Sequence, residues 1–333
     1  SNIDLVNGIV SFGKVDLRDS KGETMRILVY GAGVSGSNLA SNLCKAKKDV
    51  TILARGKWAE NIKKNGLKVK NKMGFGTKTC RMPVMTSLEP DDIYSVTFVA
   101  LRYTQLDDVI HILRSNGTKN IVFVGNNVRA RYYRDQLPDK NVMFSFAISA
   151  GHRESDKVVG IDLKKITIGP IKDDPHQEDI IDAIFHGTGY KVVYEPNMEN
   201  YLLCHAAFIT PAAMAVYYTD GDLGRIKRDK EYINTLIDAN IEGYRAIEKG
   251  GHEIIPKSDV DYESAGYRRT CYSFFKLMCS TFIGKICASD HAMNAIDEMS
   301  ALNRDLKKYF DETGIEYPKW KMVEKSAGKY LIG

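Results

Sequence analysis

The hexapeptide Gly31-Ala32-Gly33-Val34-Ser35-Gly36 constrains this chain more than any other feature of its sequence. It follows a short apolar run, Arg26–Tyr30, and opens a stretch, Val34–Ala46, whose apolar residues recur at helical spacing. A GxGxxG pattern between a strand and a helix is the turn of a dinucleotide-binding βαβ unit. Gly31 permits the tight turn, Gly33 lets the backbone approach a pyrophosphate, and Gly36 lets helix and strand pack closely. A helix opening at Val34 points free N–H groups and its positive dipole end at the phosphates. The expected cofactor-binding turn is therefore Gly31, Ala32, Gly33, Val34, Ser35 and Gly36.

Alternating strand and helix patterns continue beyond this unit. Val50–Ala54 is an apolar run, and a hairpin is expected from Leu67–Asn71 and Thr77–Met82 around Gly74-Phe75-Gly76. Val96–Leu101 and Ile121–Val124 read as strands flanking a helix at Thr104–Leu113. Strands near Val142–Ile148, Val158–Ile161 and Ile166–Ile168, a helix at Glu178–Phe185 and a strand at Lys191–Tyr194 complete this part. The alternation predicts an α/β fold with a Rossmann-type, doubly wound, mostly parallel sheet. At Glu195-Pro196-Asn197 the texture changes, and strand patterns give way to helical ones. Helices are expected at Met198–Tyr218, Lys227–Glu248, Val260–Ile283, His291–Phe310 and Lys319–Lys325, with Pro211 kinking or interrupting the first. Gly250-Gly251 and Gly314 are helix stops. The expected domains are a sheet domain over 25–196 and an all-α substrate and dimerisation domain over 197–333. Residues 1–24 read as an extension or a cloning remnant.

Composition narrows the function classes. With 333 residues and 44% hydrophobic, the chain carries enough apolar material for two cores, which excludes disorder. Its 47 Lys+Arg against 42 Asp+Glu leave a net charge of +5, too small for an electrostatic footprint on nucleic acid. The longest apolar stretch, Ala206–Tyr218, is too short and interrupted for a membrane span. Six cysteines contain no CxxC pair and no histidine at metal-ligand spacing, so they read as free thiols in a reducing cytoplasm, with no metal site expected.

The end of the second strand selects the cofactor. An NAD site needs an Asp or Glu about 20 residues after the turn, to accept from the ribose 2′-OH. Here the sequence is Ala54-Arg55-Gly56-Lys57, with no carboxylate until Glu60. Arg55 suits a 2′-phosphate, which its guanidinium fork can clamp, so NADP(H) is favoured.

At this point the chain resembles the ketopantoate reductases (2-dehydropantoate 2-reductases). The segments that carry the likeness are MRILVYGAGVSGSNLA, TILARG with NGLKV, IVFVGNN, ITIGP and GHEIIP, and then AIDEMSALN before ETGIEYP. The resemblance implies reduction of a 2-oxo acid by NADPH, with pantothenate biosynthesis as the setting. It also implies a small-molecule substrate in the inter-domain cleft and a homodimer through the helical domain. It places an asparagine at the nicotinamide on Asn126 and the closing glutamate on Glu298. A family lysine after the fourth strand falls on Arg102, which keeps charge but not geometry. The slots for the catalytic lysine and for an asparagine four residues on hold Leu202 and Ala206, which donate neither proton nor hydrogen bond. Ser280 and Ser289 both match the position of a carboxylate-binding side chain.

Physical reasoning reaches some of the same residues. Asn126 stands at the carboxyl end of a strand, where open α/β sheets bind ligands. Glu298 falls at the edge of the stripe Ala295, Met299, Leu302, Leu306 and Phe310, between core and cleft. His205 lies three residues beyond Leu202 on one helix face, and an imidazole is a suitable acid for ketone reduction. The expected catalytic residues are thus Glu298, Asn126 and His205; the expected cofactor contacts add Arg55, Arg102 and Asn126 to the turn. Arg268-Arg269 beside Tyr267 is a weaker candidate for meeting an acidic substrate. The alternative class is an NADPH-binding protein without turnover, a sensor or structural element. Separating the two takes a cofactor titration and single turnover.

Overall fold

The computed structural model describes residues 24–331; the segment 1–23, with its Ile9–Val15 alternation, lies outside the described residues. The Arg26–Tyr30 run forms β1, buried from Ile27 onward because both faces of the sheet are covered. The chain continues through α1 (Val34–Lys45), β2 (Asp49–Leu53), α2 (Gly56–Asn65), β3 (Leu67–Asn71), β4 (Lys78–Cys80) and β5 (Val84–Met85). Next come β6 (Val96–Val99), α3 (Leu106–Ser115), β7 (Asn120–Val124), α4 (Ala130–Asp135) and β8 (Asn141–Arg153). β9 (Val158–Gly169), α5 (Pro175–Phe185) and β10 (Lys191–Tyr194) end the sheet half.

All ten strands join one sheet in the order β4-β3-β9-β8-β7-β6-β1-β2-β5, with β10 also pairing with β9. Among the described residues only the β3–β4 and β8–β9 pairs are antiparallel. The mostly parallel Rossmann-type arrangement is as the alternation implied, but three local readings change. The segments Val158–Ile161 and Ile166–Ile168 belong to one strand, β9. Between them Lys164 takes φ 47, and the register with β8 shifts between Ala147 and Ser149, so the strand bends without breaking. Helix α2, unread in the sequence, buries Trp58, Ala59 and Ile62 and stops at Gly66, φ 78. The short α4, burying Ala130 and Tyr133, was also unread.

The helical half contains α6 (Met198–Tyr218), α7 (Leu223–Arg228), α8 (Lys230–Lys249), α9 (Ala265–Met278) and α10 (Phe282–Gly284). A π-type turn over Lys285–Asp290 leads into α11 (His291–Asn294), α12 (Ile296–Thr313) and α13 (Pro318–Ser326). Pro211 does not interrupt α6. A proline removes the N–H that would serve the carbonyl four residues back. That carbonyl, of Ala207, accepts instead from Asn240 Nδ2 of α8 at 3.3 Å, so the helix runs on with its backbone satisfied. The expected helix at Lys227–Glu248 is split by Asp229, whose carboxylate accepts from Tyr232 N at 2.9 Å and caps α8. Val260–Ile283 is cut down to α9, which Ser264 opens by accepting from Tyr267 N. His291–Phe310 breaks at Ala295, which takes φ −129 and ψ 35.

By length and composition α6 could cross a membrane, but 67% of its apolar window is buried inside the protein. It is the central core helix. One apolar cluster runs from Leu28 and Phe144 on the sheet through Leu203 and Met214 of α6 to Trp320 of α13. Helices α1, α2 and α5 cover the opposite sheet face. The helical half is therefore the second cover of the sheet, and the carboxyl ends of β1, β6 and β7 are where an open α/β sheet of this kind binds ligands.

Candidate active site

The glycine turn carries its own explanation. Gly31 has φ 114, and a Cβ there would lie 2.4 Å from the Ala100 carbonyl oxygen. A Cβ on Gly36 would lie 2.0 Å from the Gly31 carbonyl oxygen, so only glycine lets α1 sit this close to β1 and β6. Gly33 differs, because no atom lies within 4 Å of its built Cβ. That space lies at the start of α1, where the N-cap is Gly33 with no side-chain cap and the first turn has no acidic residue. The Ala32 carbonyl is held from behind by Trp58 Nε1 at 2.9 Å and Ser37 Oγ at 3.2 Å. Ser35 Oγ lies 3.4 Å from Ser149 Oγ of β8. Open space beside an uncapped helix terminus is a cradle for an anion.

Arg55 stands at the N-cap of α2, exposed at the end of β2, and its guanidinium donates to Tyr30 Oη at 3.2 Å. Asn126 follows β7 and is buried at 8% exposure, yet its Oδ1 accepts no hydrogen bond. Its neighbour Asn127, not singled out from sequence, accepts from Arg129 N at 2.9 Å but leaves Nδ2 without a partner. Buried amide atoms without partners are rare in folded proteins, and two adjacent ones at a strand's carboxyl end suit a ligand edge. The Asn-Asn dipeptide closing an apolar run was the available signal for the second.

Arg102 and Glu298 tie the two halves together. The Arg102 guanidinium donates to Asp297 Oδ1 at 3.1 Å and to the Asn294 carbonyl at 3.0 Å. Glu298, in the first turn of α12, accepts from Tyr103 N at 3.0 Å. Burial pushes its carboxyl above the usual range, against the opposing pull of the Tyr103 N–H and the Arg102 charge. Beside them Tyr103 Oη donates to Asp305 Oδ2 at 2.7 Å and accepts from Arg129 Nε at 2.9 Å. Arg129 also donates to Asp107 Oδ2 at 3.0 Å. This network was not foreseen; its members come from four separate elements, and no local pattern joins them.

On α6, Leu202 and Ala206 are fully buried in the apolar core. His205 is half-buried on a neighbouring face, with its ring 4.1 Å from that of Phe146 and stacked on Tyr201 at 5.8 Å. Phe146 follows Ser145 of β8, whose carbonyl accepts from Gly125 N, so His205 lies near the Asn126 end of β7. Burial, with a smaller push from nearby His291, lowers its pKa to about 4. The imidazole is therefore neutral at pH 7. His205 also lines a cleft of about 660 Å³ bounded by β8, β9, α6, α9 and the loop before α9. Ser289 Oγ donates to the Gly221 carbonyl at 3.1 Å, Ser280 Oγ donates to the Lys276 carbonyl, and Arg268 pairs with Asp238. All six cysteines are free, and among the described residues no group of three or more His, Cys, Asp or Glu side chains could hold a metal.

The fold and the site thus define a Rossmann-type chain with a glycine-rich phosphate turn and a helical half covering one sheet face. Residues 27–173 match the family model described as ketopantoate reductase PanE/ApbA, so this stretch of the chain carries a domain of that family. Solved structures extend the likeness of fold to the helical half. The 2-dehydropantoate 2-reductase of Geobacter metallireducens superposes with TM-score 0.73 at 18% identity, over 92% of this chain and 99% of that one. A D-mandelate dehydrogenase, in a ternary structure with NADH and anilino(oxo)acetate, gives TM-score 0.75 at 15% identity over 92% and 98%. The dimeric ketopantoate reductase of Staphylococcus aureus gives 0.68 at 14% over 92% and 99%. No curated protein matches the sequence as a relative.

Proposed function

We propose that this protein is an NADP(H)-dependent oxidoreductase that reduces a 2-oxo acid or related carbonyl compound in the crevice between its halves. The observations that carry the reading are the uncapped start of α1 beside the open space at Gly33 and the unpartnered Oδ1 of buried Asn126. These residues fit a dinucleotide. The N–H groups of α1 would hold the pyrophosphate, Arg55 the 2′-phosphate, and Asn126 the nicotinamide end. When bound, NADPH supplies the hydride for the carbonyl carbon.

The remaining chemistry falls to the chain. Because His205 is neutral at pH 7, it acts as a hydrogen-bond donor that polarises the carbonyl and steadies the developing alkoxide, which takes the proton that completes the alcohol from solvent water. Phe146 and Tyr201 hold its ring in place. Glu298 fixes the Tyr103 backbone and Arg102 bridges to α12, which together set the width of the crevice. Free thiols agree with a reducing cytoplasm, and exposed Leu277 and Phe282 beside α9 offer a face for a homodimer through the helical half. Leu202 and Ala206, sealed in the core, weigh against ketopantoate itself and so against a place in pantothenate biosynthesis. They also favour the second reading, NADPH binding without turnover. Fluorescence titration with NADPH and single-turnover oxidation against a panel of 2-oxo acids separate the two. Binding together with oxidation by a panel member is expected; binding alone establishes the second reading, and no binding removes both. His205→Ala should cut turnover about 10²–10³-fold while leaving cofactor affinity in place.

A further inference from the structure

The 660 Å³ cleft lies on the His205 side of α6, away from the buried Leu202 and Ala206. Its volume falls in the roughly 300–1,000 Å³ range of sites that enclose drug-sized ligands. Rings form much of the wall. Tyr201 stacks on His205, Phe208 meets Phe274 edge-on with centroids 5.6 Å apart, and Tyr267 closes the far side. Two lysines and two carboxylates also line it: Lys165 from β9, Lys257 from the loop before α9, Glu195 and Asp259.

These charges are not equally engaged. Asp259 accepts from Tyr244 Oη at 2.9 Å and from Ser258 Oγ at 3.1 Å. Glu195 accepts from Asn197 N at 3.0 Å; burial raises its pKa, opposed by that N–H and by the Lys257 charge. Among the described residues, neither Lys165 nor Lys257 has an ion-pair partner. With its two carboxylates already accepting hydrogen bonds and neither ammonium group in an ion pair, the cleft leaves its lysines as the groups free to meet an anion.

We propose that this cleft is the specificity site of the enzyme. It receives a carboxylate-bearing molecule with an aromatic side chain, the carboxylate at Lys165 and Lys257, the ring against Tyr201, Phe208 and Tyr267. The part that links this molecule to chemistry rests on the reductase reading, because His205, which that reading sets on the carbonyl, lines the cleft.

The test uses racemic 3-phenyllactate as probe, titrated calorimetrically into the full chain with and without NADP. Lactate, lacking the ring, and 2-phenylethanol, lacking the carboxylate, are the controls. Phenyllactate should bind at least tenfold more tightly than either, and Lys165→Met with Lys257→Met should weaken it at least tenfold. The same variants should keep their NADPH fluorescence titration, since the glycine turn is untouched. Tyr267→Leu should weaken phenyllactate but not lactate. Phenyllactate binding no tighter than lactate, or unchanged in the lysine variants, overturns the assignment. Tight phenyllactate binding without oxidation of NADPH by phenylpyruvate defeats the reductase reading and leaves the cleft assignment standing. Turnover of small oxo acids without a preference for phenylpyruvate defeats the cleft assignment alone.

Discussion

Alanine at Gly33 and at Gly36 should produce opposite signatures from positions three residues apart. At Gly36 the new Cβ would sit 2.0 Å from the Gly31 carbonyl oxygen and 3.0 Å from Ala100 Cβ. Ordinary contact begins near 3.4 Å, so α1 must move off the sheet by more than an ångström. Overpacking of that kind costs about 1–3 kcal/mol, and at about 2–4 °C per kcal/mol the midpoint should fall by about 2–12 °C. At Gly33 the backbone sits at φ −76 and ψ −163, which alanine adopts without strain, and nothing lies within 4 Å of the Cβ. The unliganded protein should therefore keep its stability within about 0.5 kcal/mol. The methyl instead fills the space for the pyrophosphate. Losing one charge-assisted hydrogen bond is worth about 1.5–3 kcal/mol, or a dissociation constant for NADPH raised about 10–150-fold. Thermal unfolding without cofactor and fluorescence titration with NADPH read the two effects separately. If Gly33→Ala binds NADPH like the wild type, or destabilises as much as Gly36→Ala, the account of this turn is wrong.

Other changes probe the rest of the molecule. Asn240→Ala strands the Ala207 carbonyl and should cost about 1–3 kcal/mol in urea unfolding; adding Pro211→Ala restores an intrahelical donor and should recover part of it, whereas strict additivity would rule out this link. Arg55→Gln should weaken NADPH at least tenfold with NADH little changed, and equal loss for both cofactors would remove the 2′-phosphate role. His205 stays neutral in the folded protein down to about 4 while an unfolded histidine titrates near 6.5, so the unfolded chain takes up a proton first. The stability tied to neutral His205 is thus complete above about pH 6.5 and fades as pH falls towards 4. His205→Phe should flatten urea midpoints across that window, and an unchanged slope would show that the ring is not desolvated.

Local order was readable from local pattern. GAGVSG between an apolar run and a helical period identified the turn, and the steric demands at Gly31 and Gly36 are the ones such a turn imposes. Strands β1, β2, β6 and β7 also follow apolar runs, because a sheet covered on both faces needs them. Helix α2 was missed because it is short and begins at a glycine with positive φ. The failures in the helical half share another cause. Continuity through Pro211 depends on Asn240, and the breaks at Asp229 and Ala295 depend on capping and packing rather than on periodicity.

By itself, then, the sequence determined the sheet, its glycine turn and the positive charge at Arg55, since each is written in neighbouring residues. Tertiary structure alone decided what the second half does with them. It sealed Leu202 and Ala206 in the core, kept His205 neutral between Phe146 and Tyr201, and joined Arg102 to Asp297 and Tyr103 to Glu298. Those last pairs are 195 residues apart along the chain, and burial and charge at such separations are set by packing, which no local periodicity encodes.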